Sequence, residues 1–158
     1  MLSILFWNLR GNETTTWASR ALDLRTRLAR LAASLGIDVL VLAECGFVPS
    51  EIVDALNGGR PGAFCHPTSN SRRILLFTRL PESALIDQFN DSSDGRLTIR
   101  HLTTTANNRI LLAALHFQSQ MAWTVSEQAL QATVLQQDIV GTEDLVGHQR
   151  TLLIGDLN

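Results

Sequence analysis

The stretch LLIGDLN, residues 152–158, is an apolar run that stops on a carboxylate and then an amide. Leu152 to Ile154 read as a buried strand, and Asp156 and Asn158 as the polar groups that the strand delivers. The same pattern recurs upstream. LSILFWNL (2–9) is apolar and β-rich except for Asn8 near its end, and Gly11-Asn12 then breaks it. IDVLVLAE (37–44) is apolar until Glu44, and ILLAALHF (110–117) is apolar until His116. In α/β sheets, functional groups sit just outside the carboxyl ends of strands. Asn8, Glu44, His116, Asp156 and Asn158 are therefore expected to line one pocket at one rim of a sheet.

The intervening segments complete an α/β pattern. A helix is expected over roughly 16–35, because Leu24, Leu28, Leu31 and Leu35 recur at helical spacing while Arg20, Arg27 and Arg30 fall off that stripe. Gly36 supplies its stop. Strand, helix, strand in succession is a βαβ-like opening, with helices covering a sheet. A short helix is expected over 49–56, between Pro49 and the run Asn57-Gly58-Gly59. Short strands are expected at 63–67 and 73–78 around a polar turn, and a loop at 90–95. A hairpin of 97–103 and 110–117 should turn across 104–108. A second amphipathic helix over 125–140 leads to a last strand, 151–157.

Composition narrows the chemistry. The chain has 158 residues, enough for a single domain with a real core, and its 45% hydrophobic and 18% charged residues are globular proportions. A net charge of −2 gives no bulk basic field to advertise nucleic-acid binding, though a metal-dependent site needs none. All 13 basic residues are Arg, which excludes lysine Schiff-base and P-loop lysine chemistry. Cys45 and Cys65 lack the spacing of a zinc site or a disulfide scaffold and are read as reduced thiols of a cytoplasmic protein. No basic segment precedes the first apolar run, so no signal peptide is expected, and the apolar run 110–115 is too short to span a bilayer.

The residue types at the strand ends suit one another. A carboxylate and an amide oxygen are hard ligands appropriate to Mg²⁺, which binds through one or two carboxylates, waters and substrate phosphate. A second carboxylate can orient or deprotonate water, and an Asn NH₂ or a His can donate to phosphate oxygens as charge develops. Each residue also has an ordinary reading. An Asn after a strand forms turns, a lone His is often a satisfied, partly buried one, and GDxN is a common turn.

As an ordered set, FWNLRG, DVLVLAECG, LAALHFQSQ and LLIGDLN resemble the motifs of the endonuclease/exonuclease/phosphatase superfamily, the deoxyribonuclease-like metal-dependent phosphoesterases. The resemblance implies an α/β fold, the N-terminal part of a four-layer α/β sandwich with a mixed sheet covered by helices and a second sheet incomplete. It implies that Asn8 and Glu44 serve an Mg²⁺ (or Mn²⁺) site. His116 would contact the scissile phosphoryl group, Asp156 would activate the nucleophile, and Asn158 would stabilise the pentacoordinate phosphate. Arg10 would touch a substrate phosphate, although an exposed loop Arg is an equally good account of it.

Departures from the family pattern accompany the match. Ala43 stands where the family has Gln. No acid lies between Asp54 and Glu82 to orient His116, leaving His66 or Ser69 as substitutes. The later Asp and the Ser-Asp-His element are not matched. The expectation is thus a Mg²⁺-dependent phosphoesterase, most simply a nuclease, present as an incomplete part that is silent alone and associates with itself or with a missing remainder. A truncated, split or degenerate chain fits equally. The competing expectation is a non-catalytic α/β binding or assembly module. Nothing selects among DNA, RNA, phosphoinositide or other phosphoester substrates.

Overall fold

The computed structural model describes residues 2–10, 17–58, 63–69, 71, 73–87, 95–104, 108–117 and 123–157. The chain divides into two compact units, Met1–Ser69 with Leu75–Glu82, and Asn70–Ile74 with Ser83–Asn158.

In the first unit, β1 (Ile4–Asn8), α1 (Trp17–Ser34) and β2 (Val39–Ala43) form the expected βαβ opening. β1 and β2 pair in parallel, from Ile4 opposite Val39 to Asn8 opposite Ala43. α2 (Pro49–Asn57) and β3 (Ile74–Thr78) follow, and the sheet order is β1-β2-β3. Every residue of β2 is buried, as a central strand covered on both faces must be, and this is why its sequence runs apolar without alternation. Leu40 and Leu42 join Leu28, Ala32, Ile52 and Phe77 in one core cluster, with Leu24 packed at its margin. Burying a side chain such as Leu28 contributes about 1.5–3 kcal/mol. Leu35 belongs to the expected stripe but is exposed, because α1 ends at Ser34 and Gly36 turns left-handed at φ 60°.

Asp38 ties this sheet together. Its carboxylate accepts from Ser3 N (2.8 Å) and from Arg79 Nε (2.9 Å), while its carbonyl accepts from Thr78 Oγ1 (3.0 Å) and Arg79 N (3.1 Å). Burial opposes the charge on Asp38, but the Ser3 N–H and the Arg79 guanidinium outweigh it, and the carboxyl is held below its ordinary range. These bonds place the end of β3 beside the start of β2.

The strand expected at 63–67 is not formed. Residues there make only an isolated bridge, Cys65 to Thr78. The Asn57 side-chain amide takes both backbone groups of Phe64, at 2.9 and 2.7 Å, and Pro67 has no N–H to offer a ladder.

The second unit holds a 3₁₀ turn (Glu82–Ala84), β4 (Leu85–Asp87), β5 (Leu97–Thr103), β6 (Arg109–His116), α3 (Val125–Val146) and β7 (Thr151–Asp156), in sheet order β4-β5-β6-β7. β4 is three residues long, too short to register as a periodic pattern, and was not expected. β5 and β6 form the expected antiparallel hairpin, closed by Thr104 N donating to Asn108 O at 2.9 Å, while β6 and β7 run parallel. Residues 105–107 of that turn, and 90–94 of the expected loop, lie outside the described residues.

α3 begins at a capping box, in which Glu127 N donates to Thr124 Oγ1 and Thr124 N to Glu127 Oε2. It runs six residues past the expected end at 140, through Gly141, because one Gly inside a helix costs only about 1 kcal/mol. Gly147, left-handed at φ 72°, terminates it. Leu135, Ile139 and Val146 pack against Leu97, Ile99, Leu111, Ala113 and Leu115. The opposite face is not polar, so the expectation of an amphipathic helix is met on one side only: Val125, Leu130, Val140 and Leu145 are all exposed. The last strand is likewise not buried. Leu152 and Leu153 are 41% and 44% exposed, because β7 is the outermost strand of its sheet.

Candidate active site

The expected residues do not share one sheet: Asn8 and Glu44 stand at the ends of β1 and β2, and His116 and Asp156 at the ends of β6 and β7, so two pairs are brought together, one in each unit. Because β1 and β2 are parallel, they end at the same edge. Asn8 lies opposite Ala43, Leu9 N donates to Ala43 O at 3.0 Å, and Glu44 is the next residue. Glu44 (φ 49°) and Arg10 (φ 52°) are the non-glycine residues with positive φ among the described residues. A left-handed conformation costs an L-residue about 1–2 kcal/mol. Strain of this kind persists where the surroundings hold it, and it clusters at functional sites.

Asn8 behaves as a turn former, and this does not remove it from the site. Its Oδ1 accepts from Arg10 N at 2.9 Å, which orients the carboxamide and explains how Arg10 is held left-handed. The turn takes up one lone pair of the carboxamide oxygen and fixes its direction. One carboxylate and one carboxamide oxygen at adjoining strand ends are a donor set that fits Mg²⁺ completed by water and phosphate. Among the described residues, no three His, Cys, Asp or Glu side chains gather as a metal-binding group. Arg10 itself is exposed.

In the second unit, His116 and Asp156 are direct register partners on the parallel strands β6 and β7. Neighbouring strands lie about 4.8 Å apart, so the imidazole and the carboxylate rise side by side from one face of the sheet. Phe117 N donates to Asp156 O at 2.8 Å, which locks that register. Gly155 is what lets the strands approach. A Cβ built there would stand 2.1 Å from Leu115 O, closer than any side chain permits. The Gly of GDLN is thus required by backbone contact, and the Asp after it is delivered to His116. His116 is buried. Asn158 lies outside the described residues.

His66, a substitute orienter for His116 in the sequence reading, is engaged elsewhere. Its Nδ1 donates to Leu76 O at 2.7 Å and its ring packs on Phe77 at 5.2 Å. The sequence reading did not single out Arg96. It is buried, its carbonyl accepts from His116 N at 2.9 Å, and its Nη1 donates to His116 O at 3.3 Å. The signal was available in the hairpin register, since any turn that sets Leu97 against Leu115 sets Arg96 against His116.

No protein-family model matches the sequence, and neither does any curated protein. Solved structures do match. A mannosyl-6-phosphatase of Bacteroides thetaiotaomicron aligns over 100% of this chain and 66% of its own, with a TM-score of 0.69 and 15% identity. An endonuclease/exonuclease/phosphatase family protein of the same organism aligns over 99% and 63%, with a TM-score of 0.65 and 16% identity. Danio rerio TDP2, complexed with a single-strand DNA product, aligns over 99% and 60%, with a TM-score of 0.58 and 22% identity. The chain spans less than two thirds of the length of each of these structures. No helix among the described residues is long and apolar enough to cross a membrane. Across the part of their length that it spans, this chain has the α/β fold of the endonuclease/exonuclease/phosphatase proteins.

Proposed function

We propose that the protein is a Mg²⁺-dependent phosphoesterase, most simply a nuclease cleaving phosphodiester bonds. The observation that carries this reading is the delivery of chemically matched pairs at parallel strand ends, Asn8 with a strained Glu44, and His116 in register with Asp156. The compared structures support the substrate class, since one is a mannosyl-6-phosphatase and another is complexed with a single-strand DNA product.

Asn8 Oδ1 and the Glu44 carboxylate would hold Mg²⁺, or Mn²⁺ in its place. A divalent ion bound there supplies Lewis-acid polarisation of a phosphoryl oxygen. Asp156 orients the attacking water and accepts its proton. His116 donates a hydrogen bond to a non-bridging oxygen as charge builds on the phosphoryl group, Asn158 supports the same centre, and Arg10 meets a flanking phosphate of the substrate. The two unlinked cysteines, Cys45 and Cys65, favour a cytoplasmic location. Self-association through exposed apolar residues such as Leu130, Leu145 and Leu153 is expected.

The test is hydrolysis of bis(p-nitrophenyl) phosphate and of a labelled single-stranded oligonucleotide by the protein, with Mg²⁺ and with EDTA. Metal-dependent cleavage lost in Glu44→Ala is expected. Cleavage insensitive to EDTA, or unchanged in Glu44→Ala, would reject the assignment in favour of a binding module.

A further inference from the structure

We propose that the imidazoles of His101 and His148 form a binding site for a borderline divalent metal ion, of which Zn²⁺ is the type, at the end of the second unit's sheet away from His116 and Asp156. Placement comes first. His101 pairs with Leu111 and Leu111 with Thr151, so His101 stands in a row across the end of β5 and the starts of β6 and β7. Leu111 lies five residues before His116 on β6, about 17 Å at the rise of a strand. Side chains alternate along β5, so His101 shares the face of Leu97 and Ile99, which meets α3. His148 reaches that face from the end of α3. The left-handed Gly147 turns the chain there, and Gly147 N and His148 N both donate to Glu143 O, at 2.9 and 3.2 Å. Thr151 Oγ1 donates to the Glu143 carboxylate, which ties the end of α3 to the row that holds His101. The two rings come to rest with their centroids 5.7 Å apart.

Chemistry identifies the occupant. Nε2 of His101 and Nε2 of His148 are both buried and have no hydrogen-bond partner among the described residues. His101 as a whole is only 9% exposed. Buried polar atoms are nearly always satisfied, and a close pair that is not calls for an ion or a water. Nε2 is a nitrogen through which imidazole binds metal, and two rings sharing one zinc ion at about 2.0–2.1 Å have centres roughly 5–6 Å apart, the spacing of this pair. Imidazole suits Zn²⁺, Cu²⁺ or Ni²⁺ rather than Mg²⁺, so the site differs in kind from the one proposed at Asn8 and Glu44. No third His, Cys, Asp or Glu among the described residues gathers with the pair, so water completes the coordination. Ligation requires a neutral ring. Burial, then His148 and Arg109, hold the His101 pKa below its ordinary range, so the neutral ring predominates at pH 7. His148 Nδ1 accepts from Arg150 N at 3.3 Å. Ligation through Nε2 puts the ring proton on Nδ1 and exchanges that long bond for one from the exposed Arg150 N to water.

The experiment is a titration of the protein with Zn²⁺ at pH 7.5 in excess Mg²⁺, followed by calorimetry and by NMR of the histidine ring nitrogens and the Arg150 amide. Saturable binding of one equivalent is expected, with the Nε2 signals of His101 and His148 and the Arg150 amide shifting together. Removing a group that merely supports a ligand costs about 10–100-fold in metal affinity, so His101→Gln and His148→Gln should each weaken binding by at least about tenfold. The double variant should be little worse than either single one, because one imidazole alone does not hold the ion. His66→Gln should leave the affinity unchanged. No binding, wild-type affinity in either single variant, or shifts centred on His66 or His116, overturns the proposal. If His101→Gln does not fold, His148→Gln decides, since His148 is only half-buried. The readout is binding, so the result stands whether or not the protein hydrolyses phosphoesters.

Discussion

Replacing Gly155 with Ala tests whether the last strand is seated as closely as the His116–Asp156 pair requires. The new Cβ would lie 2.1 Å from Leu115 O and 2.9 Å from both Leu115 C and Cγ, whereas ordinary contact begins at 3.4 Å. β7 must move away from β6 by 3.4 − 2.1 = 1.3 Å at that point, since the obstacle is backbone and cannot rotate aside. Overpacking of this kind costs about 1–3 kcal/mol. With a urea dependence of about 2 kcal/mol per molar, a loss of about 2 kcal/mol lowers the unfolding midpoint by about 1 M with little change in slope. Gly141→Ala is the internal control. That residue sits inside α3, and a Cβ there would meet nothing within 4 Å, so Ala should add about 0.5–1 kcal/mol. Urea unfolding of the two variants beside the wild type should move the midpoint in opposite directions. A Gly155→Ala midpoint within about 0.2 M of wild type, which at that slope is under about 0.5 kcal/mol, would refute the close seating.

Strain, chemistry and charge each yield a further expectation. Glu44→Gly should raise the unfolding midpoint, because Gly accepts φ 49° without the roughly 1–2 kcal/mol that Glu spends there, yet it should abolish Mg²⁺-dependent turnover; a lower midpoint in Glu44→Gly than in Glu44→Ala would mean that the left-handed backbone there is not strained. Asp156→Ala should abolish turnover while circular dichroism stays native, and near-wild-type turnover would remove its role as base. Burial, then the neighbouring His148 and Arg109, hold the pKa of His101 below its ordinary 6.5, so the fold favours the neutral ring. Its contribution is intact above pH 6.5 and is lost as pH falls below it, because the unfolded chain takes up the proton first. Urea midpoints at pH 7.5 and 5.0 should therefore differ less in His101→Gln than in wild type, and an equal drop in both would rule His101 out as the cause.

The elements that position the candidate residues were legible because their signals are local. β1, β2, β6 and α1 announce themselves by apolar runs or a leucine stripe, and each of these strand runs ends in its polar residue within one or two positions of the observed boundary. What escaped depended on contacts distant in sequence. Phe64 gives its backbone groups to Asn57 rather than to a strand partner, and β4 is ordered by pairing with β5 despite having only three residues. The exposure of Leu152 and Leu153 follows from sheet order, which hydropathy does not encode. Arg96 escaped for a related reason, since a lone Arg before a strand reads as a solvated charge until the hairpin register sets it against His116.

The central claim is that Asn8 and the strained Glu44 form a divalent-cation site. It is tested most directly by titrating ¹⁵N-labelled residues 1–158 with substoichiometric Mn²⁺ and mapping paramagnetic broadening. The account predicts saturable broadening centred on Asn8, Leu9, Ala43 and Glu44, displaced by excess Mg²⁺ and absent in Glu44→Gln. Broadening centred elsewhere, such as on the acidic residues Asp138, Glu143 and Asp144 of α3, or persisting at the ends of β1 and β2 in Glu44→Gln, would contradict it.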